Sequence, residues 1–159
     1  MNIFATTIIA AAVATVASVS AVNVPAFAQA APAEAAATPT GTLTLTVNYT
    51  GIETQEGAIM VALFDSEAAF NGGAPVRMVM IPANAADVST VIEGLAPGRY
   101  AIKSFHDVDG DNRMSTNPMG MPIEPFAFSN NARGNMGPPN WTASAFDVAG
   151  ATTQNISFR

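Results

Sequence analysis

The sequence has no cysteine, only six lysines and arginines, and a single histidine. Without thiols no disulfide can staple the fold, so the hydrophobic core must hold it alone. A lipid anchor on an N-terminal cysteine is excluded for the same reason. Twelve acidic residues outnumber the basic ones and leave a formal charge of −6. That balance argues against nucleic acid, whose phosphates need Lys and Arg to displace counterions, and against docking on an anionic membrane surface. Beyond the first two dozen residues, no apolar run is long enough to span a bilayer.

The one long uncharged run is at the start. Residues 3–24 carry no charge and are dominated by Ala, Val, Ile and Thr. They end in Pro25-Ala26-Phe27-Ala28-Gln29, where Ala26 and Ala28 suit a signal peptidase that accepts A-x-A. The run is Ala- and Thr-rich rather than Leu-rich, and it ends in a good cleavage site. We therefore read residues 1–28 as a signal peptide cleaved after Ala28, and not as a membrane anchor. The expected product is periplasmic or secreted, with no membrane insertion after cleavage. Residues 29–40 (QAAPAEAAATPT) form a low-complexity tether with no face to bury.

Residues 41–159 read as one all-β domain. Leu43, Leu45, Val47 and Tyr49 alternate with Thr42, Thr44, Thr46 and Asn48, the period of a half-buried strand. Further strands are expected at 58–64, 76–81, 88–92, 100–105, 143–148 and 152–158. Pro97 and Gly98 supply the backbone angles of a tight turn ahead of the fifth strand. Residues 66–70 are the only helical candidate, one turn that Asp65 or Ser66 can cap. This pattern predicts a single seven-stranded antiparallel β-sandwich, immunoglobulin-like or prealbumin-like, with one long ordered loop. The loop, residues 107–140, is rich in Gly, Pro, Asn and Met and shows no strand pattern. Loops of that length in small domains are commonly functional.

The chemistry concentrates at the start of that loop. Asp107, Asp109 and Asp111 alternate around Gly110, a D-x-D-G-D spacing that turns carboxylates towards one point, as Ca²⁺ requires. Ser115 is a further oxygen donor, and Glu124 can fold back to complete the shell. The EF-hand match is partial, because the Gly stands at the fourth position and Pro118 replaces the bidentate Glu at the twelfth. The same residues also read as an Asp/Gly turn closed by its own hydrogen bonds. His106, the only histidine, with Glu124, suggests a hydrolase, although no nucleophile or oxyanion site accompanies them. A third reading is a copper-handling protein using His106 and the loop methionines Met114, Met119, Met121 and Met136. Met60, Met78 and Met80 fall in strand segments and are assigned to the core. Phe126, Phe128 and Trp141 are expected to anchor the loop.

Three segments together resemble a known family: 94–102 (GLAPGRYAI), 105–111 (FHDVDGD) and 120–131 (GMPIEPFAFSNN). The sequence is similar over residues 41–159 to a bacterial exported family catalogued as domain of unknown function 2141. The resemblance implies a periplasmic or secreted immunoglobulin-like or prealbumin-like sandwich and lends no activity. Where that family's loop commonly carries an acidic residue, this sequence has Ser115. The function expected from the sequence is an exported, non-catalytic cell-envelope or secreted binding domain, with Ca²⁺ held weakly by Asp107, Asp109, Asp111 and Ser115. Its partner would be a small molecule, a carbohydrate or a protein.

Overall fold

A computed structural model describes residues 42–158. The expected signal peptide (residues 1–28) and tether (29–40) lie outside the described residues. The order is β1 (Leu43–Thr50), β2 (Ala58–Phe64), α1 (Glu67–Phe70), β3 (Arg77–Pro82), β4 (Val88–Leu95), β5 (Gly98–Asp107), β6 (Phe126–Phe128), a 3₁₀ turn (Ser129–Asn131), α2 (Trp141–Ser144), β7 (Phe146–Val148) and β8 (Thr152–Ser157). No helix among these residues is long and apolar enough to cross a membrane.

The strands form two sheets. One has the order β4-β1-β8; the other runs β3-β2-β5-β6, with β7 also paired to β5. Alternating side chains from both sheets make one core: Leu45, Val47 and Tyr49 of β1 meet Ile59, Val61 and Leu63 of β2 and Ile102 of β5. The all-β reading holds, and two details of it change. Among the described residues there are eight strands, not seven, because Phe126–Phe128 pairs with β5 from Lys103 to Phe105. The fold is also not wholly antiparallel, since β1 and β8 run parallel from Leu45/Thr152 to Thr50/Ser157. The expected sixth strand, 143–148, is divided: α2 takes its start and β7 its end. Asn140 caps α2 by accepting the Ala143 N–H at 2.9 Å, which satisfies a donor that the helix leaves open.

The outer face of the five-stranded sheet carries a second, smaller core of Phe64, Phe70, Ala101, Phe128, Trp141 and Ala145. Trp141 and Phe128 are therefore anchors, as expected. Ser129 ties this region together: its hydroxyl accepts the Ile102 N–H at 2.8 Å and donates to the Ser144 carbonyl. Asn131 accepts the Ser157 N–H (2.8 Å) and donates to the Asn155 carbonyl (3.0 Å), so the S-N-N run is a fastening onto β8.

Tyr49 is fully buried beside Phe158, and its hydroxyl has no hydrogen-bond partner among the described residues. Ser104, the polar group nearest in role, gives its proton to the Ala127 carbonyl at 2.9 Å. A buried unpaired hydroxyl costs about 1–3 kcal/mol. Tyr49→Phe should therefore leave stability unchanged or raise it by about 1 kcal/mol in urea unfolding. A loss of more than that would show a hidden partner. Burial pushes the Tyr49 ionisation above its ordinary value of 10.0. Above pH 10 only the unfolded chain ionises, so the wild type should lose stability there in a way that Tyr49→Phe does not.

Candidate functional site

Strand β5 organises the site. Its even positions, Ile102, Ser104 and His106, turn towards the space between the sheets, and its odd positions, Lys103 and Phe105, turn outwards, as the period of two requires. The strand ends at Asp107, paired with Ala58 of β2. The chain then curls through Gly110 (φ 77°) and Asn112 (φ 59°). Local hydrogen bonds fix the curl. Asp107 accepts N–H groups from Gly110 (2.8 Å) and Asn112 (2.9 Å), Asp109 from Asp111 (3.1 Å), and Asp111 from Arg113 (2.7 Å). Residues 115–123 form a small hairpin, with the Ile123 N–H on the Ser115 carbonyl and the Asn117 N–H on the Met121 carbonyl.

Glu124 closes the circle. One of its oxygens accepts the Val108 N–H at 3.0 Å and the other the Ser115 N–H at 2.9 Å, so one carboxylate clips both ends of the curl. Ligand oxygens of Asp107, Asp109 and Glu124 lie within 4.8 Å of one another. Oxygens about 2.4 Å from a shared Ca²⁺ can be no more than about 5 Å apart, so this spacing fits one ion. Asp107 and Glu124 are buried, 2% and 9% exposed, while Asp109 is open to solvent. Each of the six hydrogen bonds to these three residues occupies one lone pair of an oxygen that has two. Capacity for a cation remains.

The sequence-predicted donors are thus divided. Asp107 and Asp109 come together, and Glu124 joins them. Asp111 stands outside the group, turned to the backbone of Arg113. The Ser115 hydroxyl lies 3.4 Å from Asp109, beside the cluster rather than in it. His106 is 1% exposed, and its Nε2 donates to the Glu56 carbonyl at 2.7 Å, which places the proton on that nitrogen. No hydrogen bond among the described residues links His106 to Asp107 or Glu124. The loop methionines are elsewhere: Met119 is exposed at the hairpin tip, while Met114, Met121 and Met136 border a groove on the outer sheet face.

That groove is the feature the sequence reading did not contain. It encloses about 920 Å³ between the outer face of the sheet, the 115–123 hairpin and the segment around Pro138. Met60, Met78 and Phe105 form its floor. Met78 and Met80, assigned to the core from sequence, are each 57% exposed, because β3 turns its even positions to this outer face; only Met60 is buried. An apolar β-strand looks the same in sequence whether its second face is covered or open. Among the described residues, Lys103 is the only charged one lining the groove. Its ammonium donates to the Phe70 carbonyl and sits 4.2 Å from the Phe70 ring centroid. Burial lowers its pKa below the usual lysine value.

Residues 47–156, more than half of the chain, match a family described as an uncharacterized protein conserved in bacteria, DUF2141. The chain belongs to the DUF2141 family. The matched segment runs from β1 to β8, so it includes both the acidic curl and the groove. No curated protein and no solved structure matches the chain.

Proposed function

We propose that this DUF2141 protein is an exported, non-catalytic binding domain of the periplasm or the secreted fraction, whose acidic curl takes Ca²⁺ weakly. The observation that carries the cation reading is the convergence of Asp107, Asp109 and Glu124 within 4.8 Å. Two of these carboxylates are buried, and buried charge is ordinarily paired or metal-bound. The non-catalytic reading is supported by the His106 ring donating to the Glu56 carbonyl and the Glu124 carboxylate accepting the Val108 and Ser115 N–H groups. An immunoglobulin-like or prealbumin-like sandwich is supported by the Tyr100 hydroxyl. It donates to the Ala96 carbonyl at 2.9 Å, the back-bond of a tyrosine corner where the chain passes between sheets. Export supplies the calcium: a site with a Kd on the order of 10⁻⁴–10⁻³ M fills outside a cell and not in cytosol.

At tenfold excess over Kd, Ca²⁺ should stabilise the fold by about 1.4 kcal/mol and raise Tm by about 5 °C. Differential scanning calorimetry in Ca²⁺ and in EDTA measures this. Asp109→Ala, at the exposed corner, should abolish the rise while leaving the EDTA baseline nearly unchanged. An unshifted wild type removes the cation from the proposal.

A further inference from the structure

We propose that the groove on the outer face of the five-stranded sheet binds an amphiphilic carboxylate, a flexible alkyl chain whose anionic head is held by Lys103. This inference is independent of the cation reading.

The volume of about 920 Å³ lies within the roughly 300–1,000 Å³ of sites that take small molecules, and such sites are mostly apolar with a few placed polar groups. Here the placed group is one ammonium. Lys103 offers three N–H donors, and the fold uses one, on the Phe70 carbonyl. Lys103 engages no carboxylate among the described residues, and it is the only charge in the wall. A single cation against apolar walls complements a single negative charge. It would leave a doubly charged phosphate half unpaired and a cationic ligand repelled.

The walls specify the rest of the ligand. Met60, Met78, Met114, Met121 and Met136 face one space, and thioether chains with three rotatable bonds mould to a contour that varies. With so few polar wall groups, a ligand rich in hydroxyls or amides would lose its hydrogen bonds to water without replacement. A flexible hydrocarbon loses none. Met78 and Met121, 57% and 62% exposed, leave the apolar surface open to solvent, as a binding face does. A second copy of the chain is disfavoured as the occupant by its own charge of −6.

The test is isothermal titration of the purified protein with decanoate, dodecanoate and tetradecanoate, and with dodecyltrimethylammonium as the cationic counterpart. It is run in EDTA and again in Ca²⁺. One-to-one saturable binding is expected, tightening roughly tenfold for each two methylenes added. The ammonium amphiphile should bind at least tenfold more weakly than dodecanoate, and Lys103→Gln should erase that difference. Should Lys103→Gln fail to fold for want of its Phe70 contact, Met78→Glu decides. It alters an exposed wall residue and should weaken dodecanoate more than tenfold at an unchanged Tm. No saturation in either buffer, no dependence on chain length, or equal binding of the cationic amphiphile overturns the proposal. So does an amphipathic peptide that binds where the carboxylates do not. Carboxylate binding in EDTA, together with no Ca²⁺ effect on Tm, would keep the groove and remove only the calcium site.

Discussion

Gly57→Ala should cost at least about 4 kcal/mol and leave little folded protein. Gly57 precedes β2 with φ +66°, a left-handed conformation that costs an alanine about 1–2 kcal/mol before any contact is considered. The contact is the larger part. A Cβ there would lie 1.9 Å from the Asp107 carbonyl oxygen and 2.9 Å from its carbon. Both atoms are backbone, held by the pairing of Asp107 with Ala58, so neither can swing away as a side chain would. The strand must shift, and the acidic curl with it. Total stabilities of such domains are about 5–15 kcal/mol, so the loss takes a large share. Gly110→Ala is the control. Its φ is +77°, yet nothing lies within 4 Å of the added Cβ, so it should lose only the conformational part, about 1–2 kcal/mol. Urea unfolding of the two variants separates steric from torsional cost. Equal midpoints would show that the Gly57 contact relaxes freely.

Glu124→Gln is expected to destabilise by about 2–3 kcal/mol, near 10 °C in Tm. The carboxylate accepts one N–H on each oxygen, from Val108 and from Ser115. Hydrogen bonds to an ionised acceptor are worth about 1.5–3 kcal/mol. An amide keeps one acceptor and turns an NH₂ donor against the other N–H, so one bond is lost outright and the second weakens. Hydrogen exchange supplies a local signature: the Val108 and Ser115 amides should lose protection together, while the central pairs of β2 and β5 keep theirs. The hairpin that Glu124 anchors also walls the groove, so the same variant should weaken decanoate binding. A Tm within 2 °C of wild type would show that the clip contributes little to the curl.

The strands were legible where one face is buried and the other wet. In β1 the threonines and leucines alternate without interruption. Phe126–Phe128 was not legible, because three residues after Pro125 give too short a window for any period. Its pairing comes from tertiary contact with β5. The helical turn at 141–144 had a sequence signal in Asn140, a good cap, that a strand reading of the same stretch obscured. Parallel pairing of β1 and β8 could not be seen, since alternation carries no direction. At the acidic curl, Asp107 and Asp109 were legible by spacing. Glu124, offered by the sequence as a donor able to fold back, does so from 15 residues beyond Asp109, while Asp111 is turned away by its bond to Arg113. The groove was hidden because Met78 and Met80 read as core when only the other face of their strand is covered.

The pairing of β1 with β8 has a consequence for how the protein is made. The first strand lies between the fourth and the last, so its sheet is unfinished until the final residues are available. Tyr49 on β1 and Ile156 on β8 are register partners more than a hundred positions apart. Contacts so distant form late, after the loop-closure entropy has been met. A nascent chain lacking β8 exposes an open edge of β1 and cannot lock. Until β8 arrives, that edge is open to pairing with a foreign strand.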